Sequence, residues 1–478
     1  MVFLRRSLLL TTLLLLWTLP TTATIVHVPA DEPTIQDGVD AASEGDTVMV
    51  ACDTYYLTDA VVIDGADITL RSATGEAGCA TIDGQNASHG FRCVSCGSST
   101  TIMGFTFRNC VNALGGIEGS ALTVTGSPDL LNLVFHDNSG GFGTAHCGMG
   151  APTFTNVIFT DNSGSALYVS GGDPVLTDVV FELNHGGAGA GMQCQGGEAY
   201  LEDVEFKQNT SSGNGGGLFL DGASVTLVDV TFYNNYADGK GGGVYGFFSS
   251  TPSFEDVEFL GNYAGDDGGG MFCHDGCVPT LTDVVFHGNR SSGGGGGMAC
   301  LDVSPDLSHV TFDHNDSVDP GGGFRADGTA SPTLQNVTLA HNDTFVGAGV
   351  YCAGTSHVTM ENCIVAFSDY GPGVECGTTA SATVTCTDVY GNAGGDWIDC
   401  ISSQYGSNGN VSLDPLFCDN QNPYTPYALQ DDSPCLSGGV PGCDLIGAWG
   451  QGCPAGTVVP DPATAEATWG VLKWMYRR

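Results

Sequence analysis

Residues 252–273 read PSFEDVEFLGNYAGDDGGGMFC, and residues 279–300 read PTLTDVVFHGNRSSGGGGGMAC. Both copies begin with proline, place phenylalanine seven residues later and asparagine three residues after that, and then reach a run of glycines. The copies are offset by 27 residues. A unit of this length that recurs along a chain indicates a solenoid, in which each unit stacks on its neighbours.

The same unit extends over about residues 128–392. Its clearest marker is an aromatic residue followed three positions later by asparagine, with copies 22 to 27 residues apart. A stacked asparagine amide can bond the backbone and the asparagine of the next coil. We therefore predict a structural ladder of Asn138, Asn162, Asn184, Asn209, Asn235, Asn262, Asn289, Asn315 and Asn342.

The other columns of the repeat predict short strands. Proline fits a strand start or a corner, the Leu, Val and Phe columns fit a shared core, and the glycines let the chain turn close to the next coil. Leucine-rich and helical solenoids need helix-permissive stretches, which these repeats lack. We predict an all-β fold, a parallel β-helix of about 12 coils with about three short strands each.

Both ends of this region carry recognisable segments. The stretch HVPADEPTIQDGVD at residues 27–40, the stretch TIDG at 81–84 and the stretch DPLF at 414–417 resemble the opening and closing of pectin-lyase-like right-handed β-helices. The Phe-x-x-Asn and Gly-Gly repeats are similar to those of polymorphic outer-membrane proteins, a resemblance that implies a surface-exposed passenger or adhesin. The β-helix fold hosts lyases, hydrolases, adhesins and structural proteins, so the resemblance specifies the fold more than the function.

Five segments are predicted along the chain. Residues 1–23 form a signal peptide, 24–100 an N-terminal cap with the first coils, 101–400 the β-helix repeats, 401–453 a cysteine-containing closing cap, and 454–478 a linker with a sorting-like tail. We predict a secreted protein, extracellular or on the outer cell surface. Its 19 cysteines indicate partial disulfide bonding, and their odd number leaves at least one thiol free or intermolecular. Cys418, Cys435, Cys443 and Cys453 are predicted to staple the closing cap.

The charge of the chain limits its partners. Twelve basic and 53 acidic residues give a formal net charge of −41, which repels nucleic acid and anionic lipid. We expect no nucleic-acid partner and no membrane span after removal of the signal peptide. We expect the protein to be a monomer. Its expected partner is a polysaccharide or a cell-surface protein.

One column after the glycines is rich in aromatic residues. Gln193 and Arg325 within it would be costly inside a narrow core, so we predict that the column faces outward, with its rings about 5 Å apart on successive coils. Such a row suits stacking on an extended glycan, and the alternative is that the rings stack on each other and shield the sheet. The predicted binding residues are Tyr168, Gln193, Phe219, Tyr245, Phe272, Arg325 and Tyr351.

Two further groups allow more than one interpretation. Asp178, Asp203, Asp229, Asp256 and Asp283 each lie three residues before a repeat phenylalanine, where calcium or hydration could relieve their repulsion. Cys273, His274, Cys277 and Cys300 form a compact cluster that fits a disulfide or a buried thiol ladder better than zinc. We predict no metal site and no cofactor, with calcium as the alternative.

No catalytic centre is predicted. Pectate lyases need an arginine base with calcium-binding aspartates, and the related hydrolases need paired aspartates with Gly-His-Gly and Arg-x-Lys motifs; neither set is present. Arg290 and Arg325 lie four and thirteen residues after their phenylalanines, on different faces. We predict a non-enzymatic β-helix that binds glycan or a partner through one face, with a polysaccharide lyase or glycoside hydrolase and a structural envelope rod as alternatives.

Overall fold

The repeat units stack as coils of a parallel β-helix in the computed structural model of the protein, which describes residues 23–112, 118–418 and 427–455. This confirms the predicted fold class. The coils number about 16 instead of about 12, because those before residue 128 lack the Phe-x-x-Asn marker. The predicted signal peptide and C-terminal tail lie almost wholly outside the described residues. No helix in the described ranges is long and apolar enough to cross a membrane.

Each coil offers up to four strand positions, which stack into two sheets. The first position holds Ile25–Val28, Thr47–Val50, Thr69–Ser72, Thr101–Met103, Thr226–Val228, Ser253–Glu255, Thr280–Thr282, Asp306–Ser308, Thr333–Gln335, His357–Glu361 and Ser381–Thr385. The second holds Asp53–Tyr56, Ala80–Asp83, Phe105–Arg108, Thr231–Tyr233, Glu258–Leu260, Val285–His287, Thr311–Asp313, Thr338–Ala340, Ile364–Ala366 and Asp388–Tyr390. One long strand covers both positions at Asp129–His136, Thr153–Thr160, Val175–Glu182 and Tyr200–Lys207.

The second sheet contains the other two positions. The third holds His185–Gly186, Thr210–Ser211, Tyr236–Ala237, Tyr263–Ala264, Arg290–Ser291 and Asp316–Ser317. The fourth holds Val61–Asp64, Phe91–Cys96, Leu122–Gly126, Met192–Gln195, Leu218–Asp221, Val244–Phe247, Met271–His274, Met298–Leu301, Phe324–Asp327, Val350–Cys352 and Val374–Cys376. Ser139–Cys147 and Ser163–Ser170 cover both positions. The remaining elements are the helix Ile35–Ala41, the 3-10 helix Asp399–Gln404 and the strands Leu429–Gln430 and Gln451–Cys453.

The core runs the length of the coils and is organised by two ladders. The repeat phenylalanines from Phe107 to Phe312 stack ring on ring, with centroids 4.5–5.1 Å apart and planes within 11° of parallel. The ladder asparagines, from Asn138 to Asn342, are buried beside them, and each donates its side-chain amide to the next at 2.9–3.0 Å. Both ladders need coils in register, so they position every surface column.

The C-terminal segment 427–455 lies along the outer face of the second strand position. Its backbone and side chains bond that face, for example Gly447 N to Asn362 O at 2.8 Å and Trp449 Nε1 to Thr311 Oγ1 at 3.0 Å. Apolar residues on that face, including Ile364, pack against the segment. Disulfides Cys386–Cys443 and Cys418–Cys453 attach it, whereas Cys435 is a buried thiol and not the fourth predicted staple.

A buried carboxyl group lies under this segment. Burial, with smaller contributions from the charges of Asp396 and Asp414, raises the pKa of Asp388 to about 7, although Leu413 N at 3.0 Å and the Cys435 thiol at 3.3 Å donate hydrogen bonds that oppose the shift. Folding therefore favours the protonated form. The folded chain holds a proton that the unfolded chain releases near pH 4, so this group lowers stability as the pH rises from about 4 to about 7.

We expect Asp388→Asn to remove that part of the pH dependence. Because the variant is neutral at every pH, its melting temperature at pH 8 should exceed that of the wild type by several degrees, while the two agree near pH 4. Thermal denaturation of both proteins between pH 4 and 8 measures this effect. Repulsion among the other carboxylates changes with pH in the same way in both proteins, so it cancels in the difference between their melting temperatures. Parallel curves for wild type and variant would contradict the assignment.

Candidate functional site

The predicted aromatic column lies on the fourth strand position, on adjacent coils. Its members pair in register in the order Tyr168, Gln193, Phe219, Tyr245, Phe272, Ala299, Arg325 and Tyr351. They point away from the core, because Tyr245 and Phe272 belong to a small apolar cluster separate from it. Ring centroids are 5.1 Å apart for Phe219 and Tyr245 and 6.0 Å apart for Tyr245 and Phe272.

The column lies outside the core, but three of its rings are covered, as in the alternative in which the rings shield the sheet. Tyr168, Tyr245 and Phe272 are 4%, 7% and 3% exposed. Neighbouring side chains cover the rings: Lys240 Nζ lies 4.5 Å from the Phe272 ring centroid, and the Tyr245 hydroxyl bonds His274 Nε2 at 2.6 Å. A cleft beside Phe272 and Arg325 measures only about 30 Å³. The rings shield the sheet here, and a binding role for the column stays a prediction.

An ion-pair network holds this cover in place. Asp267 accepts from Lys240 and lies 3.6 Å from Arg325, whose guanidinium also bonds Asp327 at 2.7 Å. Burial opposes ionisation of Asp267, but the Lys240 hydrogen bond, the Gly294 N–H and both cations outweigh it and keep its pKa below the ordinary value. Arg325 is therefore engaged within the protein and not directed at solvent.

An open groove lies instead along the third strand position. It has a volume of about 440 Å³ and is lined by backbone and by Ser163, His185, Thr210, Ser212, Tyr236 and Asp238. Hydroxyl, imidazole, carboxylate and ring faces thus surround one surface depression. Such a lining can accept and donate hydrogen bonds, and it also offers an aromatic face to an apolar surface of a ligand.

The groove lies on a column of residues four positions after each repeat phenylalanine; it spans the column from Ser163 to Tyr236, and the column continues beyond it. Parallel bridges set them in the order Ser163, His185, Thr210, Tyr236, Tyr263, Arg290 and Asp316. Sequence reasoning missed this column because its members share no single chemistry. The available signal was that Tyr236 and Tyr263 have the same offset from phenylalanine on neighbouring coils.

Two tyrosine rings dominate the exposed part of this column, which we call the tyrosine face (Tyr236 and Tyr263). Their centroids are 5.2 Å apart and their planes differ by 8°, and Tyr236 is 38% exposed. The Tyr236 hydroxyl donates to Asp238 at 2.9 Å, and the Tyr263 hydroxyl bonds Ser292 at 2.6 Å. These bonds hold the two rings parallel and partly overlapping, as an offset stack along the coils.

Charged groups continue the column beyond the tyrosine face. Arg290 Nε lies 3.2 Å from Asp316 Oδ2, and the two side chains are 61% and 44% exposed. An exposed pair of this kind adds little stability. The column therefore combines an aromatic surface with one cation and one anion along about five coils.

The acidic column has a backbone role that the sequence did not reveal. Asp178, Asp203, Asp229, Asp256 and Asp283 all have φ between 54° and 56°, the left-handed region that few side chains other than Asn and Asp adopt readily. Asn132, Asn156, Asn336 and Asn362 take the same position in other coils, with φ of 52–54°. The bend between the first and second strands selects these residues, and calcium at this column stays an untested alternative.

The cysteine cluster is a set of buried thiols and no disulfide. Cys273 and Cys300 pair in register, the Cys277 Sγ lies 3.4 Å from the Cys273 Sγ, and His274 turns away to Tyr245. Burial raises the pKa of the Cys273 thiol, and that of the Cys194 thiol to about 12, so both stay protonated at neutral pH. Elsewhere five disulfides form, at Cys52–Cys79, Cys93–Cys96, Cys376–Cys400, Cys386–Cys443 and Cys418–Cys453.

The family of the chain follows from a sequence model. The model described as the right handed beta helix region matches residues 143–305 and 291–412, more than half of the chain, and covers the groove and most of both ladders. The chain belongs to this right-handed β-helix family. Among curated proteins, none matches the chain.

Solved structures with related architecture include lyases, an alpha-1,3-glucanase and a phage tailspike receptor binding domain. An alginate lyase in complex with a trisaccharide has 12% identity and a TM-score of 0.48, covering 91% of this chain and 97% of its own. A second alginate lyase has 11% identity and a TM-score of 0.49, covering 92% of this chain and 94% of its own. A pectate lyase has 13% identity and a TM-score of 0.32, covering 88% and 91%. At these identities and scores the likeness carries no conclusion about activity.

Proposed function

We propose that the protein is a secreted, non-enzymatic β-helix that binds a glycan chain along the groove and the tyrosine face. The tyrosine face carries the proposal: Tyr236 is exposed and lines a groove of about 440 Å³ that also carries hydroxyl groups, and the half-buried Tyr263 stacks on it in the next coil. Sugar rings present apolar C–H faces to aromatic rings and hydroxyl groups to polar neighbours, so this lining suits them. Five disulfides and the signal-like N-terminus support export.

A neutral glycan fits the charge of the surface better than an acidic one. The chain has a formal net charge of −41, Asp238 accepts from the Tyr236 hydroxyl, and Arg290, the neighbour of Tyr263 in the column, is paired with Asp316. Six of the seven basic side chains in the described residues are paired with carboxylates, and Arg71 bonds backbone carbonyls. Little positive charge is left to attract a polyanion.

The test is binding of the mature protein to neutral and acidic polysaccharides by calorimetry and affinity electrophoresis. We expect binding to a neutral chain, weakened about tenfold or more by Tyr236→Ala with Tyr263→Ala, because each ring contributes roughly 0.5–1.5 kcal/mol. Tyr56→Ala is the matched control, since Tyr56 is 64% exposed in an early coil away from the groove. Equal loss in the control would contradict a specific tyrosine face.

Product analysis separates the remaining functions. New reducing ends or unsaturated sugars would overturn the non-enzymatic proposal and favour a lyase or hydrolase. A second variant, Phe219→Ala with Tyr245→Ala, asks whether the predicted aromatic column contributes. If no polysaccharide binds and none is cleaved, a structural rod or a surface-protein partner becomes the better account.

A further inference from the structure

A cluster of two histidines and an aspartate lies on the second strand position, away from the groove. His287 and Asp313 are in register on adjacent coils, and His287 Nδ1 lies 2.7 Å from Asp313 Oδ2. The next residue along the chain, His314, directs its own Nδ1 at Asp313 Oδ1. Two ring nitrogens and a carboxylate oxygen thus lie within 4.8 Å of one another.

The carboxylate at the centre is almost fully buried. The side chain of Asp313 is 6% exposed, between histidines that are 31% and 34% exposed. The cluster is therefore an anion flanked by two imidazoles, with one side reaching solvent.

The C-terminal segment supplies the remaining wall. Tyr427 donates its hydroxyl to Asp313 Oδ1, and burial together with the Asp313 charge raises the pKa of this tyrosine, so it stays a donor. Tyr427 also packs edge-on against Phe417 at 4.9 Å between ring centroids. The outer-shell hydrogen bond to a carboxylate ligand is a usual feature of metal sites.

We propose that His287, Asp313 and His314 bind a divalent transition-metal ion of the zinc type, which joins two coils and the C-terminal segment. Two imidazoles and a carboxylate are preferred zinc ligands, and three protein ligands leave a fourth position for water. Calcium requires six to eight oxygen ligands and does not suit this donor set. The sequence predicted no metal site because the ligands have different offsets, one and two residues after phenylalanines 26 residues apart.

Metal binding should then stabilise the docked C-terminal segment. The ion holds Asp313 in place, and Asp313 holds Tyr427. We expect the untagged full chain, freed of metal by chelation, to bind about one equivalent of Zn²⁺ in calorimetry and to rise in melting temperature. Co²⁺ should give the visible absorption of a low-coordinate nitrogen and oxygen site, whereas Ca²⁺ should have no effect.

Variants identify the ligands. His287→Gln and Asp313→Asn should each weaken Zn²⁺ binding by at least about tenfold, since even outer-shell partners of metal sites contribute that much. His136→Ala is the matched control, because His136 also follows a repeat phenylalanine directly and lies 2.8 Å from Asp137. The nine buried thiols are the same in every variant, so thiol binding cannot imitate the pattern.

All of these experiments measure Zn²⁺ binding or folding, so their results do not depend on whether the protein binds a glycan. Circular dichroism of the metal-free variants establishes that they fold; if Asp313→Asn does not, the half-exposed His287 provides the test alone. Zn²⁺ binding that survives both ligand variants, or no binding by the wild type, would overturn the proposal and leave a hydrogen-bonded His-Asp-His cluster. Loss in the ligand variants with full binding by His136→Ala supports it.

Discussion

Replacing Asn262 by leucine should lower the free energy of unfolding by about 4 kcal/mol. The Asn262 amide donates to Phe232 O and to Asn289 Oδ1, both at 2.9 Å, and its oxygen accepts the backbone and side-chain N–H groups of Asn235 at 3.0 Å. Leucine fills the same space but leaves several of these fully buried groups without a partner, and each costs roughly 1–3 kcal/mol. Urea denaturation measures the loss.

A matched substitution outside the core should have almost no effect. Asn156 also donates its amide to the asparagine one coil earlier, Asn132, at 2.8 Å, but this bond is exposed. In Asn156→Asp the new residue accepts the left-handed backbone, as Asp178 does in the next coil. We expect a change within about 0.5 kcal/mol. Similar losses in Asn156→Asp and Asn262→Leu would show that burial of the ladder is not what stabilises it.

The register of the coils could be predicted because each interior column has one chemistry. Asparagine stacks on asparagine and phenylalanine on phenylalanine, and a slip of one residue would break both ladders at once. The first coils were undercounted for the same reason. They are built from strands such as Thr47–Val50 and Thr69–Ser72 without either marker, so their sequence shows no repeat.

The candidate site could be predicted only in part, because exposure depends on what lies beside a column. Phe272 has the offset of an outward residue and does leave the core, yet Lys240, one coil earlier, covers its ring. The groove beside Tyr236 depends on the small residues Gly186 and Gly187 in the neighbouring turns. Neither relation is visible in a single repeat, since both join residues from different coils.

The His-Asp-His cluster could not be predicted either, because its residues come from separate parts of the chain. His314 and Asp313 are adjacent in sequence, but His287 comes from the previous coil and Tyr427 from a segment more than 100 residues later. The C-terminal segment reaches this face because outward residues such as Ala340 and Ile364 are apolar there and pack beneath it. The fixed spacing of residues from the repeat phenylalanines predicts the coils. It does not predict that the C-terminal segment folds back over them.

Replacing Gly269 by alanine should lower the free energy of unfolding by about 3 kcal/mol. The backbone of Gly269 has ordinary torsion angles, so the cost comes from space: an added Cβ would lie 2.3 Å from Gly296 O and 2.5 Å from Arg290 O. Both atoms belong to the backbone of the next coil and cannot move without opening the stack. The glycine triplets are thus needed for close approach between coils and not only for turning.

Gly78→Ala is the control that separates space from chain flexibility. Gly78 also has ordinary torsion angles, but no atom lies within 4 Å of an added Cβ. Alanine there should leave stability unchanged or raise it by up to about 1 kcal/mol, because it restricts only the unfolded chain. Urea denaturation of both variants decides the matter. If Gly269→Ala is as stable as Gly78→Ala, the coils are not packed at backbone contact, and the tyrosine spacing along the groove, which depends on that packing, loses its physical basis.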